Sequence, residues 1–272
     1  MAQVYNFDAA RMGMFKELCG MYNINDYFAL KLRNLEGYEI VIICDDSGSM
    51  SSPVTAEGSG AYDNLKTRWD ELKNTLAILI SIAVVLDKNG IDVHFMNRNG
   101  LLNVTNPTQL DPIFANPPEG GTPLVETLAK VLATSCEKNR LIVIATDGEP
   151  NDVKGPHGTV INGIDEFKKL LLTGRRPNDY VVVLACTEDD AAISYLNKWD
   201  DEIPKLDVVD DYFTELKQIQ KIQGKKFKFS LGDYVVKSLL GSIDPWFDSL
   251  DEKRVKIPKA HRQSKDKQCT IV

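Results

Sequence analysis

The sequence contains no uninterrupted apolar run near the roughly 20 residues that span a bilayer, and its first residues include no apolar segment of leader length. A soluble body without a signal peptide is expected. There is no P-loop, no Asp-x-Asp pair and no Gly-x-Ser-x-Gly elbow, which removes the usual routes to phosphoryl transfer and serine hydrolysis. Histidine is scarce, with three in the chain; His94 falls in a strand pattern and His157 in a loop, neither beside a metal-ligand partner. The five cysteines (Cys19, Cys44, Cys136, Cys186, Cys269) are odd in number and lack CxxC spacing. With Cys44 and Cys186 inside strand-like runs, reduced thiols in a cytosolic protein fit better than a disulfide framework or a zinc cluster. No internal repeat is visible.

What is present bounds one large core: 272 residues, 43% hydrophobic and 26% charged. The net charge of −7 is unevenly placed, because Lys253–Gln268 holds seven Lys/Arg against one acid, net +6, and leaves −13 on the rest. An acidic body argues against nucleic acid as the main partner. The basic run reads either as a solvated end or as a surface for an anionic membrane.

Periodicity gives the order of elements. Residues 1–37 read as a helical N-terminal extension, one helix capped by Asp8 with Met12, Phe15 and Leu18 inward, and a second from Asp26 carrying Phe28, Leu30, Leu32 and Leu35, covering a sheet edge. A buried strand at Tyr38–Cys44 is followed by a Ser/Gly-rich passage and a long helix from Asn64 to Lys88. Asn99-Gly100 between two strand runs signals a two-residue hairpin and one antiparallel strand. Helices at 123–138, 164–173, 191–199 and 212–223 then alternate with strands at 140–145, 180–185 and 206–209, which predicts a doubly wound, mostly parallel α/β sheet. The domain is expected to occupy 38–250 with a C-terminal helical elaboration, and 251–272 to form the basic tail.

Two of these strands end in oxygen-rich loops. The run Ile40-Val41-Ile42-Ile43-Cys44 opens into Asp45-Asp46-Ser47-Gly48-Ser49, and Leu141-Ile142-Val143-Ile144-Ala145 into Thr146-Asp147-Gly148-Glu149-Pro150. A third loop, Glu119-Gly120-Gly121-Thr122-Pro123, can turn tightly at its glycines and start a helix near Thr122. Open α/β sheets bind ligands at such carboxyl edges, and Asp45, Ser47 and Ser49 alternate so that their oxygens can converge on a hard cation.

These three loops together resemble the metal-ion-dependent adhesion site of von Willebrand factor type A domains, with Asp-x-Ser-x-Ser matched by Asp45, Ser47 and Ser49, the later threonine by Thr122, and the acid after the fourth strand by Asp147. The likeness covers about Tyr38 to Gln223. It implies Mg²⁺ or Mn²⁺ held directly by Ser47, Ser49 and Thr122, with Asp45 and Asp147 acting through water or hydrogen bonds. Neutral direct ligands leave the ion electron-poor, so an Asp or Glu from a protein partner can complete its shell. Asp46 falls at the family's variable position and is expected to be exposed or to support the ligands; Glu149 and Asp152 read as solvent-facing loop acids.

The function implied is a non-enzymatic, intracellular protein-binding module with no catalytic residues. The alternative is a metal-dependent phosphohydrolase or phosphotransfer-like protein using Asp45, Asp46 and Asp147. The final Cys269-Thr270-Ile271-Val272 matches the outline of a C-a-a-X prenylation box, although Thr270 is not aliphatic and a final Val lies outside the usual set. A prenyl group on Cys269 with the basic run would anchor a cytoplasmic protein to the inner membrane face.

Overall fold

The computed structural model describes residues 9–54, 66–87, 89–151, 162–187, 189–196 and 198–256. Asp8, the Ser/Gly-rich passage at 55–62, Asp152, His157, and the tail from 257 with Cys269 lie outside the described residues.

In chain order the elements are α1 (Ala9–Met21), α2 (Asp26–Leu32), β1 (Glu39–Cys44), α3 (Arg68–Leu86), β2 (Ile91–Phe95), β3 (Leu101–Val104), α4 (Asp111–Phe114), α5 (Leu124–Ala133), β4 (Arg140–Thr146), α6 (Gly163–Lys169), β5 (Asp179–Ala185), α7 (Asp190–Ile193), α8 (Trp199–Glu202), β6 (Leu206–Val209), α9 (Tyr212–Gln223), α10 (Leu231–Leu240) and α11 (Pro245–Asp248). The six strands form one sheet in the order β3-β2-β1-β4-β5-β6, parallel except for β3, which pairs antiparallel with β2 at the edge. The predicted fold class is therefore the observed one.

The continuous apolar runs of β1, β4 and β5 suit strands covered on both faces. Alternation within β1 sends Ile40, Ile42 and Cys44 into one core with Leu76, Leu79, Ala83 and Leu239 of α3 and α10. Val41 and Ile43 enter a second core with Leu128 of α5 and Phe167 of α6. Each such fully buried aliphatic side chain contributes about 1.5–3 kcal/mol. At the amino ends of β4 and β5, buried Arg140 grips Asp179 with Nε and Nη2 at 3.0 and 2.9 Å, which sets their register.

Several sequence expectations are corrected. The N-terminal extension does not cover a sheet edge: α1 packs on α3 and α2 on α10, with Phe28 edge-on to Trp246 and Phe247 at 5.6 and 5.1 Å. Leu30 points outward, 64% exposed, because α2 stops at Leu32 and buries only one narrow stripe. The connection from β2 to β3 runs through residues 96–100 and is not a two-residue turn; neither Asn99 nor Gly100 has the positive φ that such a turn needs. Its extra length is used by Asn97 and Arg98, which hydrogen-bond to Asp46. Among the described residues of 191–199, α7 ends at Ile193, 194–196 and 198 are turns and α8 starts at Trp199, in place of one helix, and α5 starts at Leu124 and ends at Ala133. Among the described residues no helix is long and apolar enough to cross a membrane.

Candidate metal centre

Strand order places a topological switch between β1 and β4: β1 is followed in the sheet by β2 on one side and β4 on the other. The crevice beyond their carboxyl ends is where open α/β sheets hold ligands. Cys44 and Ala145 are register partners, so the loops that follow emerge side by side.

Asp45 is fully buried. Its Oδ1 accepts from the Ser47 N–H at 2.9 Å and its Oδ2 from the Thr146 hydroxyl at 2.6 Å, which locks the first loop to the end of β4. Burial raises the Asp45 pKa; the hydrogen bonds from Ser47 and Thr146 oppose this and the Asp147 charge adds to it. The Ser47 and Ser49 hydroxyls lie 2.9 Å apart, and the Ser49 hydroxyl donates to Asp147 Oδ1 at 2.7 Å. A line of oxygen donors thus crosses from the β1 loop to the β4 loop, with Ser47 and Asp147 buried and Ser49 exposed.

The third loop is tied in through its backbone. Gly48 N–H donates to Gly120 C=O at 3.1 Å, and Glu119 N–H to Asp46 C=O at 2.8 Å. Thr122 and Asn151 clasp each other: Thr122 N–H donates to Asn151 Oδ1 at 2.6 Å, and Asn151 N–H to Thr122 C=O at 3.0 Å. Gly120 has φ +96°, and a Cβ there would come within 2.6 Å of Asn97 Oδ1, so glycine is needed twice over. Thr122 is not the helix cap. The Leu124 N–H turns back to its carbonyl at 2.8 Å around Pro123, and the helix begins afterwards. The structure therefore gathers Asp45, Ser47, Ser49 and Asp147 by direct side-chain contact and holds buried Thr122 in the adjoining loop.

Asp46 differs from expectation. It is buried, with Oδ2 accepting from Arg98 Nε at 2.6 Å and Oδ1 from the Asn97 N–H at 2.8 Å. Glu149 is exposed, as a loop acid should be. Cys44 and Cys186 stand close by, but burial first and neighbouring carboxylates second push both thiols well up, away from thiolate chemistry.

Three supporting residues were not singled out from sequence. Arg68 donates Nη1 to Asp147 Oδ2 and Nη2 to the Thr187 hydroxyl, both at 2.7 Å. It is the first residue of α3, placed there by the capping box in which Thr67 and Asp70 bond to each other's backbone N–H. Asn151 and Thr146 complete the set. Asn151 follows the Thr-Asp-Gly-Glu-Pro run directly, and its loop position and short amide were the available signal; for Arg68, 79 residues from Asp147, there was none.

No protein-family model matches the chain, and no curated protein matches it. Among solved structures, a point mutant of the PilB minor pilin from Streptococcus sanguinis aligns at a TM-score of 0.50 and 13% identity over 79% of this chain and 62% of that one. A second PilB minor pilin structure from Streptococcus sanguinis aligns at 0.45 and 15% over 64% and 57%, and the pilus adhesin SpaC from Lactobacillus rhamnosus GG at 0.43 and 13% over 80% and 31%. The chain spans less than two thirds of each of these proteins. At 13% identity, the likeness to the first is one of fold alone.

Proposed function

We propose that the chain is a non-enzymatic, metal-dependent protein-binding module of the von Willebrand factor type A kind. Ser47, Ser49 and Thr122 would hold Mg²⁺ or Mn²⁺, and the partner would present an Asp or Glu. The observation that carries this is the run of oxygens Ser47–Ser49–Asp147 at the switch between β1 and β4, laced to the Thr122 loop by backbone hydrogen bonds.

The donor set suits the ion. Neutral hydroxyls with two buried carboxylates behind them match the hard, oxygen-preferring chemistry of Mg²⁺. When bound, the ion supplies an electrophilic position for an incoming carboxylate. The protein's part is to keep the hydroxyls in place: Asp45 fixes the Ser47 backbone, and Asp147 orients the Ser49 hydroxyl. The phosphohydrolase alternative loses Asp46, whose carboxylate is engaged by Asn97 and Arg98.

Calorimetric titration of Mg²⁺ and Mn²⁺ into the full chain and into Asp45→Ala tests the centre. Binding of a Glu-rich peptide in Mg²⁺ against EDTA then tests the use of the ion. Loss of one saturable metal-binding event in Asp45→Ala, with peptide binding abolished by EDTA, is expected. Equal peptide binding in EDTA, or turnover of a generic phosphomonoester, overturns the reading.

A further inference from the structure

A second group of acids lies at the opposite margin of the sheet, on β6, three strands from β1. Asp200 of α8, Asp207 of β6 and Asp248 of α11 come from three separate segments, yet each offers a carboxylate oxygen within 4.8 Å of the others.

Asp207 sets this cluster apart from an ordinary acidic surface. It is 1% exposed, and both of its oxygens are buried without a hydrogen-bond partner. An ionised carboxylate in that condition is held only if a cation meets it or it takes up a proton. Its direction is fixed by packing: a Cβ on Gly241 would fall 1.5 Å from Asp207 Oδ2, so the side chain lies along the backbone just past α10. The ammonium nearest to Asp207 is a shared one. Buried Lys237 is 2.8 Å from Glu215 and 3.6 Å from Asp251, and it is shared among those two and Asp207. Asp207 thus has the carboxylates of Asp200, Asp248 and Asp251 as neighbours and only a share of the Lys237 ammonium.

We infer that Asp200, Asp207 and Asp248 form a second divalent-cation site, taking Ca²⁺ or Mg²⁺, that ties α8 and α11 to the edge strand. Three carboxylates without imidazole or thiolate select hard cations over zinc or copper, and waters or backbone carbonyls would fill the remaining positions. The site uses none of the residues of the first centre, and its ion would act as a clamp on the C-terminal helices.

The test is calorimetry and thermal denaturation of the full chain in Ca²⁺ and in Mg²⁺, using a Ser47→Ala/Ser49→Ala double variant to silence the first centre. This variant is expected to keep one saturable binding event and a rise in Tm with metal. Adding Asp248→Asn, or separately Asp207→Asn, should weaken that event at least tenfold. No saturable binding in the double variant, or unchanged binding after Asp248→Asn, overturns the site whatever happens at the first centre. An Asp207→Asn chain with a higher metal-free Tm and an unaltered metal response would identify Asp207 as a buried neutral acid, which also overturns it.

Discussion

Arg68 and Asp147 form an ion pair at 2.7 Å in which the arginine sits on Oδ2 of a carboxylate whose Oδ1 receives the Ser49 hydroxyl. A fixed positive charge therefore stands beside the proposed cation. It neutralises Asp147 and would repel the proposed ion. Arg68→Ala should strengthen Mg²⁺ binding about three- to tenfold, an effect on the order of 1 kcal/mol, while lowering metal-free stability by about 1–3 kcal/mol because Asp147 is left buried and unpaired. Titration calorimetry and chemical denaturation on one preparation would show both signs.

Ser49 links the two carboxyl-edge loops and is itself exposed. Ser49→Ala is expected to weaken Mg²⁺ binding at least tenfold and to abolish Mg²⁺-dependent peptide capture. Its cost in stability should stay near 1 kcal/mol, that of a hydrogen bond at a wet site. Loss of folding comparable to loss of binding would make Ser49 a structural residue only.

How far sequence could reach is shown by the two adjacent acids. Asp45 was legible because its strand is apolar and β-branched and its loop alternates acid and hydroxyl, both local patterns. The role of Asp46 was not, because it depends on Asn97 and Arg98, 51 and 52 residues away across the sheet. Those partners also explain why the two-residue turn did not form: the Asn99-Gly100 signal is correct about the antiparallel pairing, but the loop is drawn out to serve Asp46. The helix at 191–199 failed for a different reason. Its pattern is short, and Leu196 and Trp199 reach the core from turns as well as from a helix.

From that contrast, Asp46→Asn should behave unlike any change at Asp45 or Ser49. Breaking a pair in which the acid is fully buried and Arg98 largely so is expected to lower stability by about 2–3 kcal/mol. Mg²⁺ affinity, measured well below the melting temperature, should stay within about twofold of the parent. A large loss of affinity would place Asp46 among the ion's own supports.

The pH dependence of stability has a contributor outside both acid clusters. Asp87, just past α3, is buried beside Glu39; burial first and that neighbouring acid second push its pKa up to about 6 from 3.8, against the opposing Lys138 ammonium and the Ile40 and Asn89 N–H groups. Its Oδ2 has no hydrogen-bond partner, so the folded chain favours the protonated acid more than the unfolded chain does. The sign follows: stability is fully retained below 3.8 and lost as pH rises through about 6, where folding must hold an ionised carboxylate. Asp87→Asn removes that charge and keeps one carbonyl oxygen for the backbone donors. With allowance for screening by Lys138 and solvent, the variant should be more stable than the parent by about 1–2 kcal/mol at pH 8 and indistinguishable from it at pH 4. Denaturation midpoints at the two pH values decide the matter: a gain of equal size at both would mean that packing is responsible, since a neutral acid at pH 4 leaves no charge for the amide to remove.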